Sequence, residues 1–162
     1  MEILKRFQAD RHVRQLQSGG RADDAQTVEA RKQLEAMGGA GARALLSALI
    51  QKPATPAMID TLTALVSAAT LPEFLEALRS PHPMVADAAA DALAHGGGWA
   101  PAVLRLVFAD DRYSRARLEV VLDAQSASVP PARLLEMLSV LGKETRPILW
   151  RLLDKSADAS VV

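Results

Sequence analysis

The stretch Thr70 to Phe108, TLPEFLEALRSPHPMVADAAADALAHGGGWAPAVLRLVF, decides the fold class. It divides into three short helical patterns separated by two hard stops. Leu71, Phe74, Leu75 and Leu78 recur at i, i+3, i+4 and i+7, the single apolar stripe of a helix that packs on one side. Thr70 with Glu73 three residues on fits a capping box, and Pro72 falls in the first turn, where its missing N–H is harmless. Ser80-Pro81-His82-Pro83 then stops the chain, because proline lacks a donor and disfavours helix in the residue before it. A second helix is predicted from about Pro83 to His95. Its stripe of Val85, Ala89, Ala92 and Leu93 is mostly alanine, which lets two backbones come close, and Gly96-Gly97-Gly98 ends it. Trp99, Val103, Leu106 and Val107, with Leu104 and Phe108 beside them, predict a third helix that is apolar on most of its circumference, the pattern of one buried between neighbours. Together these make about one and a half units of a helical repeat.

The run from Leu78 to Leu93, LRSPHPMVADAAADAL, resembles a HEAT repeat: a proline opens the helix, a valine stands two places on, and alanines lead to Ala92-Leu93 before a glycine turn. One position departs from the pattern, since Ala86 stands where that family usually has a basic residue. The resemblance implies an all-α, right-handed α-solenoid of about four to five antiparallel helix pairs, with its concave side lined by the second helix of each pair.

The remaining chain extends the same pattern in both directions. Met1 to Gln17 fits a helix with an unusual distribution: Ile3, Leu4 and Phe7 share one face, whereas Val13 and Leu16 fall nearly opposite. Such a helix either breaks near Asp10 or bridges two surfaces, as a cap on the first repeat or as a docking segment for another chain. Lys5, Arg6, Arg11 and Arg14 make it locally basic, diluted by Glu2 and Asp10, a weak pattern for a membrane surface. A polar loop, Ser18 to Asp24, follows, with an aspartate placed to cap the next helix, Val28 to Met37, whose core residues are Ala30, Leu34 and Met37. Gly38 and Gly39 end it. Ala42, Leu45, Leu46, Leu49 and Ile50 form the partner helix, which runs to Lys52-Pro53. Thr55-Pro56 restarts the chain with a cap and a first-turn proline, ahead of Met58, Ile59, Leu62, Leu65 and Val66. The partner predicted for that helix is the one from Leu71 to Leu78. Leu34, Leu62 and Leu93 lie 28 and 31 residues apart, periods within the range of solenoids.

Beyond Phe108 the pattern loosens. Ser114 is placed to cap a helix carrying Leu118, Val121 and Leu122, and a break at Ser126 to Pro131 precedes Leu134, Leu135, Leu138 and Leu141. Residues 114 to 141 make a fourth pair in one parse; in its rival, 131 to 141 pairs with a last helix from about Thr145 to Lys155. In that last helix Ile148, Leu149, Leu152 and Leu153 span about 140° of the wheel, and Trp150 widens the arc to about 200°. Solenoid ends need polar caps, so either Trp150 is covered by a sister molecule or another partner, or it folds back over the end. The domain division is residues 1–23 as helix and polar loop, 24–155 as the repeat domain and 156–162 as a flexible tail.

Composition narrows the function classes. A chain of 162 residues buries roughly two-thirds of its unfolded surface and needs no covalent staples. It has no cysteine, which excludes disulfides and thiolate metal sites. Nineteen basic and nineteen acidic residues cancel, against a protein whose main affinity is for phosphate backbones. No apolar run reaches membrane-spanning length, and MEILKRF is too polar for a signal peptide, so the expected location is cytoplasmic and the expected partner is not a membrane.

Little in the chain points to chemistry, and no catalytic residue, cofactor or metal ligand is predicted. His12, His82 and His95 are read as scattered, without a carboxylate or second histidine at a metal-ligand spacing; His95 before the glycines suits a helix C-terminus. Asp87 and Asp91 share one face and are read as a solvated side. The three glycines lack the preceding strand and following lysine of a phosphate cradle. Arg105, Arg112, Arg115 and Arg117 with Tyr113 among them could recognise phosphate or acidic peptide, but Asp110, Asp111 and Glu119 offer internal partners, and Arg146, Arg151 and Lys155 are read the same way. Arg43, Glu73, Glu76 and Arg105 are polar positions on second helices, and with Arg112, Arg115 and Trp150 they form the predicted partner-binding set.

The expectation is a non-catalytic scaffold that presents a helical-repeat groove to a protein partner, a module of a larger bacterial regulatory protein in one version, with homo-oligomerisation through the C-terminal helix as a variant. Two alternatives rest on resemblance: a HEAT-like DNA glycosylase or other nucleic-acid-binding repeat protein, disfavoured by zero net charge and few aromatics, and a subunit similar to the HEAT-like phycobilin lyases, for which no specific residue is present.

Overall fold

The fold was analysed in a computed structural model, which describes residues 2–18, 24–96, 103, 114–140 and 146–159. All regular structure among these residues is helical, with no strand. No described helix is long and apolar enough to cross a membrane. The chain forms two compact units, Met1–Gly96 and Gly97–Val162.

The first unit contains α1 (Glu2–Gln17), α2 (Ala25–Met37), α3 (Gly39–Ala48), α4 (Pro56–Leu65), α5 (Leu71–Leu78) and α6 (Pro83–His95). They form two rows. α2, α4 and α6 are neighbours in succession, α3 lies beside α5, and α1 covers α2, α3 and the start of the array at α4. Leu34, Leu45, Leu49, Met58, Leu62, Phe74 and Leu93 fill the space between the rows. α6 is the most enclosed helix: besides the predicted Val85, Ala89, Ala92 and Leu93, it buries Ala86, Ala88, Ala90 and Ala94. Ala86 is fully buried, so no basic side chain could take that place without losing its hydration.

Local signals explain the helix ends, in part differently from expectation. At Thr55 the expected cap forms: its hydroxyl accepts the Met58 N–H, with Pro56 in the first turn. The same Oγ1 donates to the Leu16 carbonyl at 3.0 Å, satisfying an orphan acceptor at the end of α1 and tying α1 to α4. Thr70, by contrast, makes no capping box. Its backbone is already helical, and its hydroxyl accepts from the Ser67 N–H and donates back to the Leu65 carbonyl, locking the turn between α4 and α5. Asp24 and Ser114 occupy N-cap positions in extended conformation, yet neither side chain bonds its helix. Gly38 alone separates α2 from α3, at φ 54°, a conformation that disfavours any side chain. Gly39 therefore begins α3 rather than ending α2, and α3 stops at Ala48, leaving Ile50 in the following turn and exposed.

Two predicted pairings are corrected. α4 and α5 make at most marginal contact; the turn locked by Thr70 sends α5 onto α3 and α6 instead. In the second unit, α7 (Arg115–Ala124), a 3-10 turn (Ser126–Ser128), α8 (Pro131–Val140) and α9 (Arg146–Ala159) follow one another, and α8 packs on α9 rather than on α7, as in the rival parse. The buried Gln125 and Ser126 at the 3-10 turn redirect the chain between α7 and α8, and α9 packs on that turn. α9 continues past Lys155 to Ala159. Of the helix predicted at Trp99 to Phe108 only Val103 is described, helical and buried.

α1 is continuous, so of the two alternatives the break near Asp10 does not occur. Its Ala9, Val13 and Leu16 edge is buried, whereas Phe7 on the other side is 71% exposed.

Close approach is sharpest at Gly41, where an added Cβ would stand 2.2 Å from the Leu34 carbonyl oxygen of α2. Backbone cannot yield as a side chain can, so Gly41→Ala is expected to lower unfolding free energy by about 1–3 kcal/mol, read from the urea midpoint. Ala89→Glu puts a charge at a fully buried position and should abolish the cooperative thermal transition; an unchanged melt would show that α6 does not occupy this register.

Candidate interaction groove

α3 and α5 lie side by side in their row and leave a groove of about 300 Å³ between them, closed at one end by the start of α6. Leu46, Ala77 and Val85 form its buried floor, the exposed Ile50 adds an apolar wall, and Arg43, Ser47, Glu73, Glu76, Arg79 and Ser80 bring polarity to its rim. Three of the predicted partner-binding residues, Arg43, Glu73 and Glu76, thus meet in one groove.

They do different things there. Glu73, in the first turn of α5, is mostly buried at 16% side-chain exposure and reaches across to the first turn of α3. A Cβ on Gly39 would lie 2.7 Å from its Oε1, so the carboxylate fills the space that glycine leaves beside the α3 N-terminus. A negative charge is favoured there by the unpaired N–H groups and the helix dipole. Arg43 Nη1 stands 3.8 Å from the same Oε1, while the Arg43 side chain remains 65% exposed. Glu73 is therefore a clasp between α3 and α5 rather than the free surface acid expected, and its Oε2 is buried without a hydrogen-bond partner. Glu76 is the exposed acid of the rim, paired with Arg79. Arg79, Ser47 and Ile50 were not predicted. The spacing of Glu76 and Arg79 was the available signal for the first, a one-turn pair on a single helix.

The other predicted site residues, Arg105, Arg112, Arg115 and Trp150, belong to the second unit. Arg105 and Arg112 lie outside the described residues, as do Tyr113, Asp110, Asp111 and the Gly97-Gly98 pair. Arg115 is exposed on α7 and Arg117 is half-buried. Glu119 accepts a hydrogen bond from Arg151 of α9 at 2.9 Å. Asp123 takes Arg151 at 3.4 Å and Lys155 at 3.3 Å. The Glu119 hydrogen bond first, and the Asp123 charge second, hold the Arg151 pKa above its ordinary value. Internal pairing thus accounts for Arg151 and Lys155, as expected. Trp150 is 55% exposed.

A second depression, of about 510 Å³, is lined by Arg31 of α2, Ile59, Asp60 and Thr63 of α4, and Asp91 and His95 of α6. Contrary to the sequence reading, His95 does have a carboxylate one turn away. Its Nδ1 is 3.3 Å from Asp91 Oδ1 and 2.9 Å from the Asp91 carbonyl oxygen. Among the described residues no group of three or more such side chains is arranged to hold a metal ion.

Because Glu73 carries the link between α3 and α5, Glu73→Ala is expected to cost about 1 kcal/mol of stability. Arg43→Ala, at an exposed and solvent-screened partner, should cost well under about 1 kcal/mol. The check is a double-mutant cycle in urea, in which a coupling larger than either single effect would overturn this division of roles.

No protein-family model, curated protein or solved structure matches the chain, so the functional reading rests on the groove and its surroundings.

Proposed function

We propose that the chain is a non-catalytic interaction scaffold, a HEAT-like α-solenoid that presents the groove between α3 and α5 to a protein partner. The observation that carries this reading is the convergence of Arg43, Glu73 and Glu76 on one groove with an apolar floor. The two rows of helices support the solenoid part, since stacking of like helices on like is how a repeat array buries its faces. An extended or helical peptide segment suits such a surface: apolar side chains sit on Leu46, Ile50, Ala77 and Val85, and the charged rim sets register rather than bulk affinity. In this reading Arg43 and Glu76 read the partner, and Glu73 holds the groove to its width.

The test is photocrosslinking in cells that natively contain the protein, with a benzophenone side chain placed at Ser47 in the groove or at the exposed Glu29 on α2. Ser47 should give one dominant protein adduct that Glu29 does not, and the additional change Glu76→Lys should remove it. Equal adducts from both positions, or an adduct indifferent to Glu76→Lys, would overturn the assignment of the groove.

A further inference from the structure

α1 is anchored by one edge and presents another. Ala9, Val13 and Leu16 are buried where α1 meets α2, α3 and α4. On the other side Phe7, Asp10, Arg11, Arg14, Gln15 and Ser18 line a shallow depression of about 560 Å³. Positions 7, 11, 14 and 18 repeat at the spacing of one helix face, so the depression follows the axis of α1. Phe7 is an exposed aromatic, and Arg11 and Arg14 are exposed one turn apart.

The arginines of this face are unlike most of those elsewhere. Arg31, Arg43, Arg79, Arg133 and Arg151 each face a carboxylate. Among the described residues Arg11 and Arg14 have none within ion-pair distance, and Asp10 beside them pairs with neither. A pair of uncompensated guanidinium groups beside an exposed aromatic ring is complementary to carboxylates that flank an apolar side chain.

We propose that this face of α1 is a second docking surface, separate from the groove between α3 and α5, and that its occupant is an acidic amphipathic segment of a partner protein. An apolar side chain of that segment lies on Phe7 and the aliphatic stems of Arg11 and Arg14, and two carboxylates one turn apart meet the two guanidinium groups. A lipid surface fits less well. Asp10 interrupts the cationic stripe, the surface is concave, and the fixed Ala9, Val13 and Leu16 edge keeps α1 from turning into a bilayer, which needs a broad apolar face.

The probe is a short fluorescein-labelled helical peptide with glutamates one turn apart and a leucine between them, titrated against the full chain by fluorescence anisotropy. Wild type should bind it in a salt-sensitive manner, and the double change Arg11→Glu with Arg14→Glu should weaken binding by about tenfold or more, as expected when two charge-assisted contacts are reversed. Phe7→Ala should weaken it without altering the salt dependence. Glu76→Lys should leave it unchanged, which separates this surface from the groove. A lysine-for-glutamate version of the peptide should fail with wild type and bind the doubly reversed variant; that gain also shows the variant to be folded. Equal binding by all forms, or none by wild type, would overturn the proposal. So would Arg11- and Arg14-dependent binding to phosphatidylserine vesicles in place of the peptide, or a concentration-dependent dimer lost on the same reversal.

Discussion

The structure depends on how closely short helices can approach one another. α3, α4 and α5 have 10, 10 and 8 residues and α6 has 13, lengths at or below the range in which an isolated helix persists in water. They are held by burial, and burial here comes through small residues. The alanines of α6 meet neighbours on most of its circumference, and Gly41 brings the α3 backbone against the Leu34 carbonyl of α2. Dispersion falls steeply with separation, so alanine and glycine contacts are effective only when nothing bulky intervenes. The groove between α3 and α5 is a consequence of the same arrangement, because both helices rest on α6 and neither can move far from it.

Much of the fold was legible where apolar spacing and proline coincided. α4 and α6 begin at their prolines, and Leu34, Leu62 and Leu93, the series read as a repeat spacing, are fully buried. The mistakes fall where one residue type has two uses. Thr70 precedes a glutamate as a capping threonine would, yet its hydroxyl is claimed by the Leu65 carbonyl and the Ser67 N–H, a competition that sequence spacing does not reveal. The pairing of α4 with α5 failed with it, since the turn decides where α5 goes. Gly38 and Gly39 read as one stop, although one is a left-handed connector and the other the first residue of a helix. The order of pairing after Ser114 could not be read either, because α7, α8 and α9 all carry similar apolar stripes and differ in position only through the 3-10 turn.

The candidate groove was half legible. The alternation of helices was enough to place Arg43, Glu73 and Glu76 on the same row. It gave no means of telling an exposed acid from one folded against a neighbouring helix, and Glu73 and Glu76 are on opposite sides of that distinction at 16% and 70% exposure. The difference arises from Gly39, whose missing side chain leaves the space that the Glu73 carboxylate occupies. Asp91 and His95 illustrate the reverse case: their spacing was open to inspection, and the pair formed as one-turn neighbours on a helix do.

The single-residue link at Gly38 has a mechanical consequence. A connection with one pair of torsions leaves α2 and α3 little freedom relative to each other, and the contact at Gly41 removes most of what remains. α5 is tethered differently, through the longer turn at residues 66–70 and with little support from α4. One jaw of the groove is therefore welded to the body of its unit by its covalent link, while the other owes its place to packing on α6, and the Glu73 carboxylate at the α3 N-terminus clamps the two together.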